Sequence, residues 1–401
     1  MSSQRQPTGF INIEGTCYMN AALQCLIYIE ELTNYLLRLK QRQRPKKTEI
    51  LEEYLNILCN NQTQYNPCEV TNLRKNMEKI NSRLFQVHKG HDPSDMLMYF
   101  FNYLQDDLKP LDNYKLWFNE KMKNNPGLKK LYENYIDKTI INDLFNYIIE
   151  EKKSCQCPQP KYNYQTQQFI ILYVNNDDTI ENYLNSYKKQ YISQQVCMTC
   201  HHAYAIQKYI KIHPKYMIIV LKPQNKNKIY YADFDEFIYR YEDNQKIKYQ
   251  FNGMIVHIGD NSDAGHFYAY CRIKNNTFYE FNDLYAKEVE FEIIRKNVPY
   301  ILFYKRISIE KCEEEIKNVG FNITGNLTIE LPITSRKIWI NLDFSNKRYM
   351  LKTDARFYSN EYNIIQNIVS QFTEENSLFD LNDLGKKIEQ LELQIKNSLN
   401  I

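Results

Sequence analysis

Cys17 follows Gly15-Thr16 and opens an apolar run, "GTCYMNAALQCLIYIEEL", whose periodicity predicts a helix. A thiol in the first turn of a helix faces unsatisfied backbone N–H groups at the positive end of the dipole. That setting lowers a thiol's pKa and favours the nucleophilic thiolate, so Cys17 is the candidate nucleophile. Most cysteines beside apolar helices are small core hydrophobes instead, and Cys25, further along the same run, is read that way. A nucleophilic cysteine needs a base, and the base needs a group to hold it. Of the seven histidines, His266 has suitable company: "GHFYAY" sets Gly265 before it, and "FYEFND" follows with Asn282 and Asp283. If the segment between is a hairpin, His266 and Asn282 lie on neighbouring strands and can meet across them. Thiolate attack, proton transfer through imidazole and an amide that fixes the imidazole tautomer then make one acyl-transfer arrangement.

Those residues need a helix and a sheet to carry them. Apolar periodicity predicts helices over 18–39, 49–58 and 95–108. From residue 167 onward, short aromatic and β-branched runs between turn residues predict strands: "QQFIILYV", "KYMIIVLKP", "YQFNGMIVHIG", "HFYAYCRI", "TFYEFND" and "YILFYKR". Helices first and an antiparallel sheet afterwards make the fold class α+β. Beyond Arg306 the pattern starts afresh, which predicts a first domain over 1–306 and a C-terminal extension over 307–401, strands followed by helices. In that extension Leu381, Leu384, Ile388, Leu391 and Ile395 keep heptad spacing. About two heptads fall short of a coiled coil, so this helix is expected to pack on its own domain, with a partner helix as the alternative.

Bulk properties exclude several classes. The 401 residues carry 51 basic and 48 acidic side chains, a net charge of +3 that gives no case for nucleic acid or an anionic membrane. The one basic cluster, "RLKQRQRPKK" from Arg38 to Lys47, reads as a solvated helix end. "MSSQRQPTGF" lacks the apolar core of a signal peptide, and no run approaches the roughly 18 apolar residues of a membrane span. A reducing compartment, cytoplasmic or nuclear, is therefore expected, with the ten cysteines as thiols, metal ligands or nucleophiles. Four of them, Cys155 and Cys157 in "CQC" and Cys197 and Cys200 in "CMTC", could join two hairpin tips around a structural zinc. The second pair has knuckle spacing, whereas the first is one residue short and harder to aim at one tetrahedral ion. His201 and His202 stand by as substitutes, and reduced thiols without metal are the alternative.

"GTCYMNAALQCL", "HDPSDML", "GHFYAY" with "FYEFND", and "YILFYKR" occur in one order over residues 9–306. Together they resemble the signatures of the ubiquitin-specific proteases, a family of papain-like deubiquitinating enzymes. The resemblance implies a papain-like fold of helical thumb, antiparallel β palm and β fingers, with ubiquitin and ubiquitinated proteins as partners and no catalytic cofactor. It makes Cys17 the nucleophile, His266 the base and acid, Asn282 its orienting residue with Asp283 assisting, and Asn12 an oxyanion donor beside the Cys17 N–H. Asp92 and Asp95 match positions that engage the extended tail of ubiquitin, whose arginines suit carboxylates. The resemblance also implies that the four cysteines belong to the fingers. His257 matches an earlier histidine of the family and is read as structural.

The chain departs from the family pattern at Glu14, where glycine is usual and a side chain could strain the oxyanion loop. It also departs at His91, in place of a glutamine, and at "LKPQ", Leu221 to Gln224. The sequence therefore supports a deubiquitinase first. A non-catalytic module that keeps the fold and binds ubiquitin or an assembly partner is the alternative. A papain-like protease of general peptide specificity is disfavoured by "HDPSDML" and "FYEFND".

Overall fold

The computed structural model describes residues 7–40, 49–63, 67–86, 90–109, 116, 122, 125–175, 177–185, 187, 189–224, 231–242, 245–261, 264–273, 276–311, 326–333, 336–343, 348–353 and scattered positions from 364 to 398. The chain divides into two compact units, Met1–Glu310 and Lys311–Ile401.

In the first unit, α1 (Cys17–Ile27) is buried along its whole length, which explains why polar residues are sparse in it. The single helix expected over 18–39 is in fact two. The chain turns at Tyr28 and Ile29, where Thr33 Oγ1 donates to the Ile27 carbonyl at 2.7 Å, and α2 (Glu30–Lys40) begins afresh. Glu30 and Glu31 in its first turn favour a new N-terminus there, because carboxylates offset the positive end of the dipole. Next come α3 (Ile50–Leu58), α4 (Thr71–Ile80) and α5 (Pro93–Leu108). Asp92 caps α5 by accepting from Ser94 N at 2.7 Å, and Pro93 occupies the first position, where its missing N–H costs nothing. Leu23, Leu36, Tyr54, Leu73, Met77, Phe100 and Leu104 share one buried cluster among these helices.

The short strands β1 (Phe10–Ile11) and β2 (Cys68–Glu69) pair in parallel. Then come β3 (Tyr147–Ser154), β4 (Lys161–Gln167), β5 (Ile170–Val174), β6 (Asp178–Thr179), β7 (Lys189–Val196) and β8 (Ala203–Ile212). They are followed by β9 (Tyr216–Pro223), β10 (Ala232–Asp233), β11 (Phe237–Glu242), β12 (Gln245–Asn261), β13 (Ala264–Arg272), β14 (Phe278–Asn282), β15 (Tyr285–Val289) and β16 (Pro299–Lys311). The central sheet has the order β15-β14-β13-β12-β16-β9-β5, with β11 also on β12; a second sheet has the order β4-β3-β8-β7.

The central strands bury both faces, so their sequences read as continuous apolar runs. In β9, Ile218 and Val220 join the core shared with the helices, while Met217, Ile219 and Leu221 join the opposite core with Met254, Tyr270 and Leu302. The mixed helix-and-sheet fold is as expected, with one correction to the antiparallel reading. Strand β5 pairs with β9 in parallel, Ile170 opposite Ile219. The long excursion through β7 and β8 between them supplies the crossover that a parallel pair requires.

The second unit contains an antiparallel meander of β17 (Asn326–Ile333), β18 (Arg336–Asp343) and β19 (Arg348–Thr353). Of the heptad positions, Leu391 and Ile395 are buried, and Leu381, Leu384 and Ile388 lie outside the described residues, as does most of the basic cluster beyond Arg38. No helix among the described residues is long and apolar enough to cross a membrane.

Candidate active site

Helix α1 packs along β13, where the Cys25 and Cys271 sulfurs lie 3.9 Å apart in the core. This contact brings the N-terminus of the helix, and with it Cys17, to the start of the strand that carries His266. Cys17 is 7% exposed, and its thiol is approached by the backbone N–H groups of Phe267, Tyr18 and Cys17 itself. Those donors favour the thiolate, as the helix-terminus argument expects. Burial outweighs them, and the negative charge of Asp283 adds to it, so the thiol pKa is raised, not lowered. Burial thus favours the protonated thiol over the thiolate at Cys17.

Strands β13 and β14 form the expected hairpin, with Ala269 opposite Phe281. His266 and Asn282 lie on it diagonally, and the imidazole Nε2 meets Asn282 Oδ1 at 2.8 Å. With Nε2–H donating there, Nδ1 is left as the basic nitrogen. His257 pairs with Phe267 across β12 and β13 and so belongs to the other face from His266. Its ring packs on Phe267 at 4.5 Å and burial lowers its pKa, which fits a structural role. Gly265 is required by the same crowding, because a Cβ there would lie 2.3 Å from the His257 Nε2.

Asp283 is more central than its neighbour. One carboxylate oxygen accepts from Asn12 Nδ2 and the other from Asn20 Nδ2, both at 2.9 Å, and the former lies 3.8 Å from His266 Nε2. Its carbonyl accepts from Phe10 N at 2.8 Å, which draws the N-terminal segment against β14 so closely that a Cβ on Gly9 would sit 1.9 Å from that oxygen. Asn12 is oriented at both ends, because its Oδ1 accepts from Thr16 N at 3.0 Å while its amide nitrogen faces Asp283. One Nδ2–H is held there, and the Cys17 N–H, as the first of a helix, has no intrahelical acceptor. Asn20 was not foreseen from sequence. The available signal was its spacing: Asn20 and Gln24 are the polar residues of a fully buried helix, one and two turns beyond Cys17. Gln24 donates to Thr8 O at 3.3 Å and ties down the same segment.

The two carboxylates expected to engage a substrate tail, Asp92 and Asp95, have different situations. Asp92 is committed to the fold: besides capping α5, its Oδ2 accepts from the Tyr300 hydroxyl at 2.7 Å and lies 3.5 Å from Lys222 Nζ. Asp95 is exposed, with its pKa raised by partial burial and by Asp92. Asp95 is the carboxylate that a cationic ligand would meet.

A scan against protein families matches residues 8–304 to the ubiquitin carboxyl-terminal hydrolase model. The chain belongs to that family. It is 21% identical over 333 residues to the probable ubiquitin carboxyl-terminal hydrolase 16 of Schizosaccharomyces pombe, covering 77% of this chain and 68% of that protein. It is 23% identical over 342 residues to human ubiquitin carboxyl-terminal hydrolase 42, covering 79% of this chain but 24% of that one. The chain thus spans from about a quarter to about two thirds of the relatives it matches. Among solved structures, the SAGA Ubp8/Sgf11/Sus1/Sgf73 DUB module bound to ubiquitin aldehyde aligns with a TM-score of 0.60 at 17% identity, over 76% of this chain and 70% of that chain. This likeness shows the fold.

Acyl transfer by a ubiquitin carboxyl-terminal hydrolase needs no cofactor, but this one has a candidate metal centre elsewhere. Strand β3 lies beside β8 with Ser154 opposite Ala205, so the tip between β3 and β4 and the tip between β7 and β8 are adjacent. The ligand atoms of Cys155, Cys157, Cys197 and Cys200 lie within 4.8 Å of one another, and the Cys157 and Cys197 sulfurs are 3.8 Å apart. Sulfurs about 2.3 Å from a tetrahedral ion stand about 3.8 Å from each other, so the set fits zinc. The short first pair is aimed by strand register instead of by its own spacing. The cluster forms without His201 or His202. His202 instead turns its Nδ1 to the Cys200 carbonyl at 2.6 Å and donates no ligand.

Proposed function

We propose that this chain is a deubiquitinase that hydrolyses the isopeptide or peptide bond after the C-terminal glycine of ubiquitin. The observation that carries the reading is the His266 Nε2 to Asn282 Oδ1 bond at 2.8 Å on the strand pair that packs against the Cys17 helix. As the Cys17 sulfur attacks the glycine carbonyl, His266 Nδ1 takes the thiol proton, because burial keeps the thiol protonated until then. Negative charge collects on the carbonyl oxygen, where the Cys17 N–H and the second Asn12 N–H receive it. The tetrahedral adduct collapses as the imidazolium gives its proton to the leaving amine, and a thioester remains. Water, deprotonated by His266, then attacks the thioester and releases the ubiquitin carboxylate and the thiol.

Asp95 suits the arginine-bearing tail of ubiquitin, with Asp92 holding the helix that presents it. Ubiquitin and ubiquitinated proteins are the partners; a helical partner for the Leu381 to Ile395 segment belongs to this proposal too, as does a cytoplasmic or nuclear location, where the thiols stay reduced.

The test is hydrolysis of ubiquitin carrying a C-terminal coumarin amide, beside a coumarin peptide of the same last residues. The proposal expects turnover of the first, none by Cys17→Ala, and at most slow turnover of the peptide. Equal turnover of both would mean a general protease, and binding of ubiquitin without turnover would mean a non-catalytic module.

A further inference from the structure

The loop that carries the oxyanion donors contains two successive residues with positive φ, Glu14 at 59° and Gly15 at 82°. For glycine that region is free; for glutamate it is disfavoured, because the Cβ crowds the backbone. Sequence alone makes Glu14 a liability, but the structure supplies a partner for its side chain. Glu14 Oε2 lies 3.4 Å from the NH2 nitrogen of Arg74, a guanidinium on α4 whose side chain is 1% exposed. Arg74 is itself fixed, since its NH1 nitrogen donates to the Phe85 carbonyl at 2.9 Å and to Glu78 at 3.1 Å. Its Nε has no partner among the described residues, and its charge bears on the Tyr18 hydroxyl, next to Cys17.

A buried cation with a fixed fork is a rigid anchor, and the carboxylate that reaches it is 38% exposed. The pair spans the bend between Asn12, whose side-chain Oδ1 accepts from Thr16 N, and Cys17 at the first helical position.

We infer that Glu14 is a positioning residue: its ion pair with Arg74 latches the Asn12–Thr16 loop in the conformation that aims the Asn12 amide and the Cys17 N–H at one oxyanion. The inference deepens the proposed hydrolysis and rests on it. The latch acts in the transition state, where the oxygen is charged, and leaves ubiquitin binding and the nucleophilicity of the thiol alone. Glu14→Gln keeps the backbone cost and removes the charge. Glu14→Gly removes both, so the two variants separate backbone strain from latching.

The experiment measures kcat and KM on the ubiquitin coumarin amide, the affinity for ubiquitin with a C-terminal aldehyde, and the rate of Cys17 alkylation by iodoacetamide. The aldehyde forms a tetrahedral adduct with an oxyanion; alkylation forms none. For both variants the inference expects kcat and aldehyde affinity to fall together, by about tenfold, a fraction of what losing a whole oxyanion donor costs. KM and the alkylation rate should stay within about twofold, a pattern that general loosening of the fold would not give. Glu14→Gly with wild-type or higher kcat would overturn the latch, as would a loss confined to KM or shared by alkylation. A wild-type protein that neither hydrolyses the amide nor binds the aldehyde would overturn the functional reading, and the latch with it.

Discussion

Replacing Asp283 should harm catalysis more than replacing Asn282, although Asn282 is the residue that touches the imidazole. Asn282→Ala removes one neutral hydrogen bond, worth about 0.5–1.5 kcal/mol. At about 1.36 kcal/mol per tenfold, that predicts a roughly two- to thirteen-fold loss in kcat. Asp283→Ala removes two charge-assisted bonds, from Asn12 and Asn20, each at 2.9 Å. The first of these aims the oxyanion donor, and loss of such a donor costs about 10²–10³ in kcat. Asp283→Asn should fall between, because an amide can accept from one of the two asparagines but presents a donor to the other. The assay is kcat on the ubiquitin coumarin amide, with thermal unfolding as the control for the Phe10 contact. A pH signature separates this role from misfolding. The Asp283 charge raises the Cys17 pKa, so Asp283→Ala should move the midpoint of the alkylation profile to lower pH. An Asn282→Ala loss equal to or greater than that of Asp283→Ala, or no downward shift, would refute the reasoning.

In the free enzyme, alkylation of Cys17 should keep rising with pH beyond the ordinary thiol value of about 8.5, because burial holds the thiol protonated and the thiolate forms only above the raised pKa; a plateau already reached at neutral pH would mean a preformed thiolate–imidazolium pair. The protein should contain one zinc per chain by elemental analysis, lost in a Cys157→Ser, Cys200→Ser double variant with a lower unfolding temperature; wild-type protein free of zinc after growth in zinc-replete medium would contradict this. Gly9→Ala places a carbon 1.9 Å from the Asp283 carbonyl and should cost about 1–3 kcal/mol of stability, read from denaturant midpoints, together with activity. Asp92→Ala should destabilise by about 1 kcal/mol or more through the lost cap of α5 and the lost Tyr300 bond, whereas Asp92→Asn keeps the cap through Oδ1 but turns a donor toward the Tyr300 hydroxyl and Lys222, so it should fall between Ala and wild type by the same measurement.

The local features were legible in the sequence and the long-range ones were not. Strands β9, β12, β13 and β16 announce themselves as apolar runs because both faces are buried, and Cys17, His266 and Asn282 sit in short motifs whose hairpin geometry follows from spacing. The central place of Asp283 rests on partners 271 and 263 residues away, a pairing no window can show. The same holds for Glu14, which reads as strain until Arg74, 60 residues on, is found beside it. The direction of the Cys17 shift was missed because helix-end donors are visible in sequence, whereas the enclosure of α1 by β13 and the neighbouring helices is tertiary. The cysteine pairs were legible as residues, but the register of β3 on β8 is what aims them.

The central claim, that Cys17 attacks the carbonyl at the C-terminus of ubiquitin, is tested most directly with ubiquitin bearing a thiol-reactive C-terminal electrophile, followed by intact-mass and peptide mass spectrometry. The account predicts a one-to-one adduct on Cys17, absent in Cys17→Ala and strongly slowed in His266→Ala. An adduct on another cysteine, or none at all from a folded protein that still binds ubiquitin, would contradict it.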